Sequence, residues 1–147
     1  NSVVLIYNSM YGTTKKMAEY MGLGLEEANV SYKIFNVNNT DLNDLLTEIF
    51  KIKGIICGSS TINNGPLVSL YPVLHEMKGL KFTGKVGATF GSYGWSGEAP
   101  QVLQSLLEEI KVDIIQESIS VKYTPTEEDL NKCIEFGKSF GEKMLES

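Results

Sequence analysis

Three short stretches of small, hydroxyl-bearing and aromatic residues carry whatever chemistry this chain can do. They are Ser9-Met10-Tyr11-Gly12-Thr13-Thr14, Ser59-Ser60-Thr61-Ile62-Asn63-Asn64-Gly65 and Gly91-Ser92-Tyr93-Gly94-Trp95-Ser96-Gly97. Loops of this make-up cannot pack a core. They can offer backbone amides and hydroxyls to an anion, and they can lay an aromatic ring on a flat ligand. Each follows an apolar run of strand length, so all three sit where strands end.

In the first stretch Gly12 lets the backbone close around a phosphate, and Ser9, Thr13 and Thr14 can donate hydroxyl hydrogen bonds. A helix beginning there presents unpaired amides and the positive end of its dipole. Lys15 and Lys16 fall in its first turn, where cations oppose the dipole; a bound dianion relieves that conflict. The plainer reading is that a threonine caps the helix and the lysines are solvated. The glycine spacing and closing Lys-Ser/Thr pair of a Walker loop are absent. In the second stretch Thr61, Asn63, Asn64 and Gly65 suit the pyrimidine edge of a flavin, although Asn-Asn-Gly alone is a turn signal. In the third, Tyr93 and Trp95 can cover the faces of the ring by offset stacking. A tryptophan between Gly94 and Ser96 is poorly placed for a core. Together the stretches describe a cradle for flavin mononucleotide (FMN). The predicted contacts run from Ser9 to Thr14, from Ser60 to Gly65 and from Ser92 to Gly97.

The elements that must position these loops are read from hydrophobic periodicity. Val3–Tyr7 and Gly54–Gly58 are continuous apolar runs, the mark of strands buried on both faces. Tyr32–Val37 alternates like an outer strand, and Lys85–Phe90 and Ile114–Val121 supply two more. Between them lie helices: Met17, Ala18, Met21, Leu25 and Ala28 at helical spacing, Asp41 to Phe50, a segment opened by Pro66 or nearer Ser69, and Val102 to Ile110. A final helix begins at Pro125-Thr126-Glu127-Glu128, with Leu130, Cys133, Ile134, Gly137, Phe140, Gly141 and Met144 as its buried stripe. Gly22 and Gly24, inside the first helix, imply close packing on the sheet. Strand and helix alternate without linker, repeat or low-complexity tract. Such crossovers force a parallel sheet with helices on both faces. The expectation is an α/β fold: a three-layer, doubly wound, five-stranded parallel sheet of order 2-1-3-4-5. Ligands of such sheets bind beyond the carboxyl ends of the strands, where the winding reverses. All three loops fall on that rim.

The bulk properties fit one globular domain over residues 1–147, with 42% hydrophobic and 21% charged residues. A net charge of −5 with no basic stripe argues against nucleic acid. No run reaches membrane-spanning length. Cys57 and Cys133 lack ligand spacing and read as buried thiols of a reducing, cytoplasmic compartment. His75 is the single histidine, which excludes a histidine-rich metal site. No metal ligand and no catalytic residue is assigned, since solvent can supply protons at an exposed flavin edge. The start at Asn1-Ser2, without Met, suggests a domain cut from a longer polypeptide.

Taken together, Ser9-Met-Tyr-Gly-Thr-Thr14, Gly58-Ser-Ser-Thr-Ile-Asn-Asn-Gly65 and Gly91-Ser-Tyr-Gly-Trp-Ser-Gly97 resemble the flavodoxin-like domain of the flavodiiron proteins (A-type flavoproteins). The likeness covers almost the whole chain, including Val121 to Leu130. It implies an FMN that receives electrons from a donor such as rubredoxin or a flavin/NADH reductase. It implies that they pass to a diiron centre, in the same or a neighbouring subunit, that reduces dioxygen or nitric oxide. In that family the diiron site lies in an N-terminal metallo-β-lactamase-like domain, so this chain would be the electron-transfer half. The family usually has proline where Ser60 stands, which implies a looser second loop and weaker FMN binding. Stand-alone flavodoxins carry acids in the third loop; here only Glu98 is near. Three alternatives remain: a free-standing flavodoxin-type carrier, an NAD(P)H-dependent FMN quinone reductase, and a flavin-free receiver domain. The last would need acids where this chain has Asn8-Ser9.

Overall fold

Strand β1 (Ser2–Asn8) forms where the sequence is apolar without interruption, and Val4, Leu5 and Ile6 are fully buried. In the computed structural model, which describes residues 2–9, 12–62, 65–66, 68–80, 82, 84–94 and 97–147, β1 is an interior strand of the sheet. It pairs in parallel with β2 (Ser31–Asn36) on one side and β3 (Gly54–Ile62) on the other. Beyond β3 lies β5 (Val86–Tyr93), again parallel, followed by β6 (Asp113–Ile114). A two-residue strand, β4 (Gly65–Pro66), folds back antiparallel on the end of β3. A further piece, β7 (Ile119–Lys122), pairs with the upper half of β5. The path β2-β1-β3-β5-β6 is the expected order 2-1-3-4-5.

Helices cover both faces. Helices α1 (Thr13–Glu27) and α5 (Glu127–Glu146) lie over one, burying Met17, Met21, Leu25, Cys133, Phe140 and Met144 against Leu5 and Ile56. Helices α2 (Leu42–Phe50), α3 (Tyr71–Leu80) and α4 (Ala99–Glu109) lie over the other, closing on Val4, Ile6 and Ile55. Each fully buried aliphatic side chain of these layers contributes about 1.5–3 kcal/mol relative to exposure. Helix α5 starts with a capping box: Asp129 N–H donates to Thr126 Oγ1 (3.1 Å) and Thr126 N–H donates to Asp129 Oδ2 (2.9 Å). Cys57 and Cys133 are free and buried, and burial pushes both thiols up to about 12.

The structure departs from the sequence reading in four places. Gly24 serves the crossing of α1 with α5 rather than the sheet: a Cβ there would stand 1.9 Å from the Ile134 carbonyl oxygen, and one at Gly137 would stand 2.0 Å from that of Met21. Gly22 does pack on the sheet, as expected: a Cβ there would stand 2.6 Å from the Tyr32 ring of β2. On α5, Phe136 is buried and Ile134 only half-buried, the reverse of the expected stripe. Pro66 opens no helix but belongs to β4; α3 begins at Tyr71, so Pro72 falls in its first turn, where a missing amide is harmless.

The fourth departure lies at the sheet's edge. Ile114–Val121 is not one strand. Asp113 and Ile114 pair with Val86 and Gly87, whereas Ile119–Lys122 pair with Phe90–Tyr93, so the register slips by two residues between the pieces. The residues between them are drawn onto neighbouring helices: Gln116 Nε2 donates to the Phe136 carbonyl of α5 (3.0 Å), and Gln101 Nε2 of α4 donates to Ser118 Oγ (3.3 Å). The break returns β7 to the ladder at the upper end of β5, beside the predicted site.

Candidate functional site

The carboxyl ends of β1, β3 and β5 lie side by side, with Asn8 opposite Ser59 and Ser60 opposite Ser92. The predicted second and third loops are partly strand, because β3 continues to Ile62 and β5 to Tyr93. Small hydroxyl residues continue a ladder here because other elements satisfy their side chains. Met10, Tyr11, Asn63, Asn64, Trp95 and Ser96, all assigned to the cofactor from sequence, lie outside the described residues. For Ile62 and Gly65 only the strand positions of the backbone are described.

Gly12 is the N-cap of α1, with φ +84°, a left-handed conformation that favours glycine. Its amide donates to Ser9 Oγ (2.9 Å), a bond in which Ser9 accepts and keeps its own proton to donate. The first intrahelical bond runs from Lys16 N–H to the Gly12 carbonyl (3.0 Å). The amides of Thr13, Thr14 and Lys15 therefore precede the helical ladder. No acid sits in this first turn, and Lys15 and Lys16 are exposed.

The hydroxyls of the next residues are committed to the protein. Thr13 Oγ1 donates to the Tyr123 carbonyl (2.6 Å). Thr14 Oγ1 is fully buried and meets Ser92 Oγ at 2.8 Å and Ser60 Oγ at 3.3 Å, while Ser60 and Ser92 meet each other at 3.2 Å. This closed triangle of hydroxyls fastens α1, β3 and β5 together beneath the rim. Ser60 is thus anchored in strand and triangle. Thr61 Oγ1 accepts from the Ala99 amide (3.1 Å) at the start of α4, so it also caps a helix. Gly91 admits Pro100 of the same helix: a Cβ there would stand 2.8 Å from the proline ring.

Two residues at the rim escaped the sequence reading. Asn8, buried at the end of β1, accepts from Asn38 Nδ2 (2.9 Å) and donates to Ser69 Oγ, tying the chain after β2 to the chain before α3. Tyr123, just past β7, bonds to Thr13, Thr61 and Tyr93. A lone Asn closing an apolar run, and a Tyr before Thr-Pro, carry no periodic signal. Glu98 is the N-cap of α4 and the acid nearest in sequence to the third segment. Among the described residues no group of His, Cys, Asp and Glu gathers as a metal site, and no helix is long and apolar enough to cross a membrane.

The amides at the start of α1, the cations beside them and the strand ends held at fixed spacing fit a phosphate attached to a flat ring. Comparison with known proteins agrees. The flavodoxin family model matches residues 5–137. A nitric oxide reductase of Moorella thermoacetica is 35% identical over 144 residues, which are 97% of this chain and 36% of that protein. The rubredoxin oxygen:oxidoreductase of Desulfovibrio gigas superposes with a TM-score of 0.93 at 30% identity, over 98% of this chain and 36% of that one. A flavodoxin from the domain Archaea superposes with a TM-score of 0.89 at 32% identity, over 99% of both chains. This chain spans about a third of the length of the curated relatives it matches. The chain belongs to the flavodoxin family, which binds FMN, and is related within it to the flavodoxin-like domain of the flavodiiron proteins.

Proposed function

We propose that this chain is an FMN-binding electron-transfer domain that feeds a diiron centre reducing dioxygen or nitric oxide. The observation that carries the reading is the start of α1: an anion-ready helix end, without acids and with Lys15 and Lys16, bound through Thr14 to the ends of β3 and β5. The amides of Thr13, Thr14 and Lys15 and the hydroxyl of Ser9 hold the phosphate. Thr61, Asn63, Asn64 and Gly65 hold the pyrimidine edge, and Tyr93 and Trp95 cover the ring, with Met10, Tyr11, Ile62, Ser96 and Gly97 completing the walls. FMN, when bound, supplies one-electron and two-electron transfer; the protein orients it and sets its potentials.

The relatives named as nitric oxide reductase and as rubredoxin oxygen:oxidoreductase support the destination of the electrons. The chain matches about a third of each; on this reading, as the family resemblance implies, the diiron centre lies in a separate metallo-β-lactamase-like domain, in the same or a neighbouring subunit. Rubredoxin or a flavin/NADH reductase serves as donor. Two free buried thiols support a cytoplasmic setting.

The archaeal flavodoxin, matched along its whole length, favours a second reading: a free-standing carrier. Anaerobic potentiometric titration of the FMN-loaded protein separates the two. Carboxylates around a flavin resist the second electron by charge repulsion. With Glu98 as the nearby acid, the flavodiiron reading expects the two one-electron steps close together. Widely separated steps would favour the free-standing carrier. Oxidation of NAD(P)H with quinone by the purified chain would instead indicate a quinone reductase.

A further inference from the structure

Tyr123 commits its backbone and its side chain to all three of the segments assigned to the cofactor. Its amide donates to the Tyr93 carbonyl (3.0 Å), at the end of β5. Its carbonyl accepts from Thr13 Oγ1 (2.6 Å), in the first turn of α1. Its hydroxyl donates to the Thr61 carbonyl (3.2 Å), near the end of β3. Gly94 makes room for the ring: a Cβ there would stand 2.9 Å from it. These partners come from distant parts of the chain, with Thr13 separated from Tyr123 by 110 positions and Thr61 by 62.

We infer that Tyr123 is a positioning residue, setting the spacing of the three segments through Thr13, Thr61 and Tyr93; this rests on the reading that they hold FMN. The pairing of β7 with β5 stops at this rim, with Lys122 as its last residue. Tyr123, the next residue, lies just past that pairing, where the twist of the sheet carries strand ends apart. A residue that ties all of them fixes their separation before the cofactor arrives, which lowers the ordering cost of binding. The three bonds are also divided by task. The Thr13 bond borders the phosphate end, whereas the Thr61 and Tyr93 bonds border the ring. Replacing tyrosine by phenylalanine removes the hydroxyl, and with it the Thr61 bond, and keeps the ring against Gly94.

The test titrates the FMN-free chain with FMN and with riboflavin, which lacks the phosphate, in wild type, Tyr123→Phe and Tyr123→Leu. The bond lost in Tyr123→Phe is of ordinary strength, so binding weakens about 3- to 10-fold. Because that bond serves the ring side, FMN and riboflavin weaken by the same factor, and the fine structure and circular dichroism of the bound flavin's visible band change. Tyr123→Leu weakens both flavins further. A Tyr123→Phe protein that binds both flavins like wild type, with the same band shape, overturns the inference whatever its melting temperature. If Tyr123→Leu fails to fold, the phenylalanine variant alone decides. Wild type that takes up neither flavin would remove the functional reading and this inference together; wild-type uptake matched by Tyr123→Phe removes the inference alone.

Discussion

Thr14 Oγ1, in the first turn of α1, and Ser92 Oγ, near the end of β5, lie 2.8 Å apart and fully buried, 78 positions distant in sequence. With Ser60 they close a triangle that no strand ladder supplies. A threonine at the start of a helix usually caps it or binds ligand. Here it joins the helix to the sheet.

Thr14→Val keeps the shape and deletes the hydroxyl that both serines share. Ser60 and Ser92 keep their mutual contact, at 3.2 Å, but lose the one each makes with Thr14. The expected loss is about 1–2 kcal/mol of unfolding free energy, read from urea titration of the FMN-free protein. Thr14→Ser, which retains the hydroxyl, loses less. Equal stability of Thr14→Val and wild type would mean that the triangle contributes nothing.

Lys15 and Lys16 oppose the dipole of α1 when no anion is bound. Replacing either with Glu is expected to raise the stability of the FMN-free protein by about 0.3–1 kcal/mol. The same change weakens FMN and leaves riboflavin binding nearly unaltered, because only FMN carries the phosphate. Thermal unfolding without ligand and parallel titrations with the two flavins provide the check. A variant that is less stable without ligand, or that loses both flavins equally, contradicts this role.

Lys85 is buried, and its ammonium donates to the carbonyls of Ile52 (2.5 Å) and Phe50 (3.5 Å) at the carboxyl end of α2. Among the described residues no carboxylate pairs with it, and burial holds its pKa below the ordinary 10.5. Between the depressed folded value and 10.5 the unfolded chain binds more protons than the folded one, so stability from this group rises with pH across that window. It is lost as pH falls through the folded value. The unfolding free energy of wild type minus that of Lys85→Met is therefore expected to grow as pH rises toward 10.5. A flat or falling difference would contradict it.

The fold was legible because its signals are periodic. Val3–Tyr7 is apolar without a break, α1 repeats its apolar residues at helical spacing, and the alternation of the two implies order 2-1-3-4-5. The site was legible as composition, since glycine and hydroxyl residues gather at three strand ends. How those hydroxyls are used was not. Ser59-Ser60-Thr61 reads as the start of a loop, yet it continues β3, because Thr14 and Ser92 satisfy Ser60 from elements far away in sequence. The two-residue slip between β6 and β7 is hidden because Ile114, Ile115, Ile119 and Val121 look like one apolar run. Tyr123 was missed for the same reason: its partners are long-range, and nothing in its neighbours announces them.

Calorimetric titration of the FMN-free chain with FMN, following the emission of its single tryptophan in parallel, tests the cradle most directly. Saturation at a single FMN per chain, with the tryptophan emission quenched and flavin absorbance retained after gel filtration, is the predicted result. A protein that stays colourless, releases no heat with FMN and keeps its full tryptophan emission would contradict it.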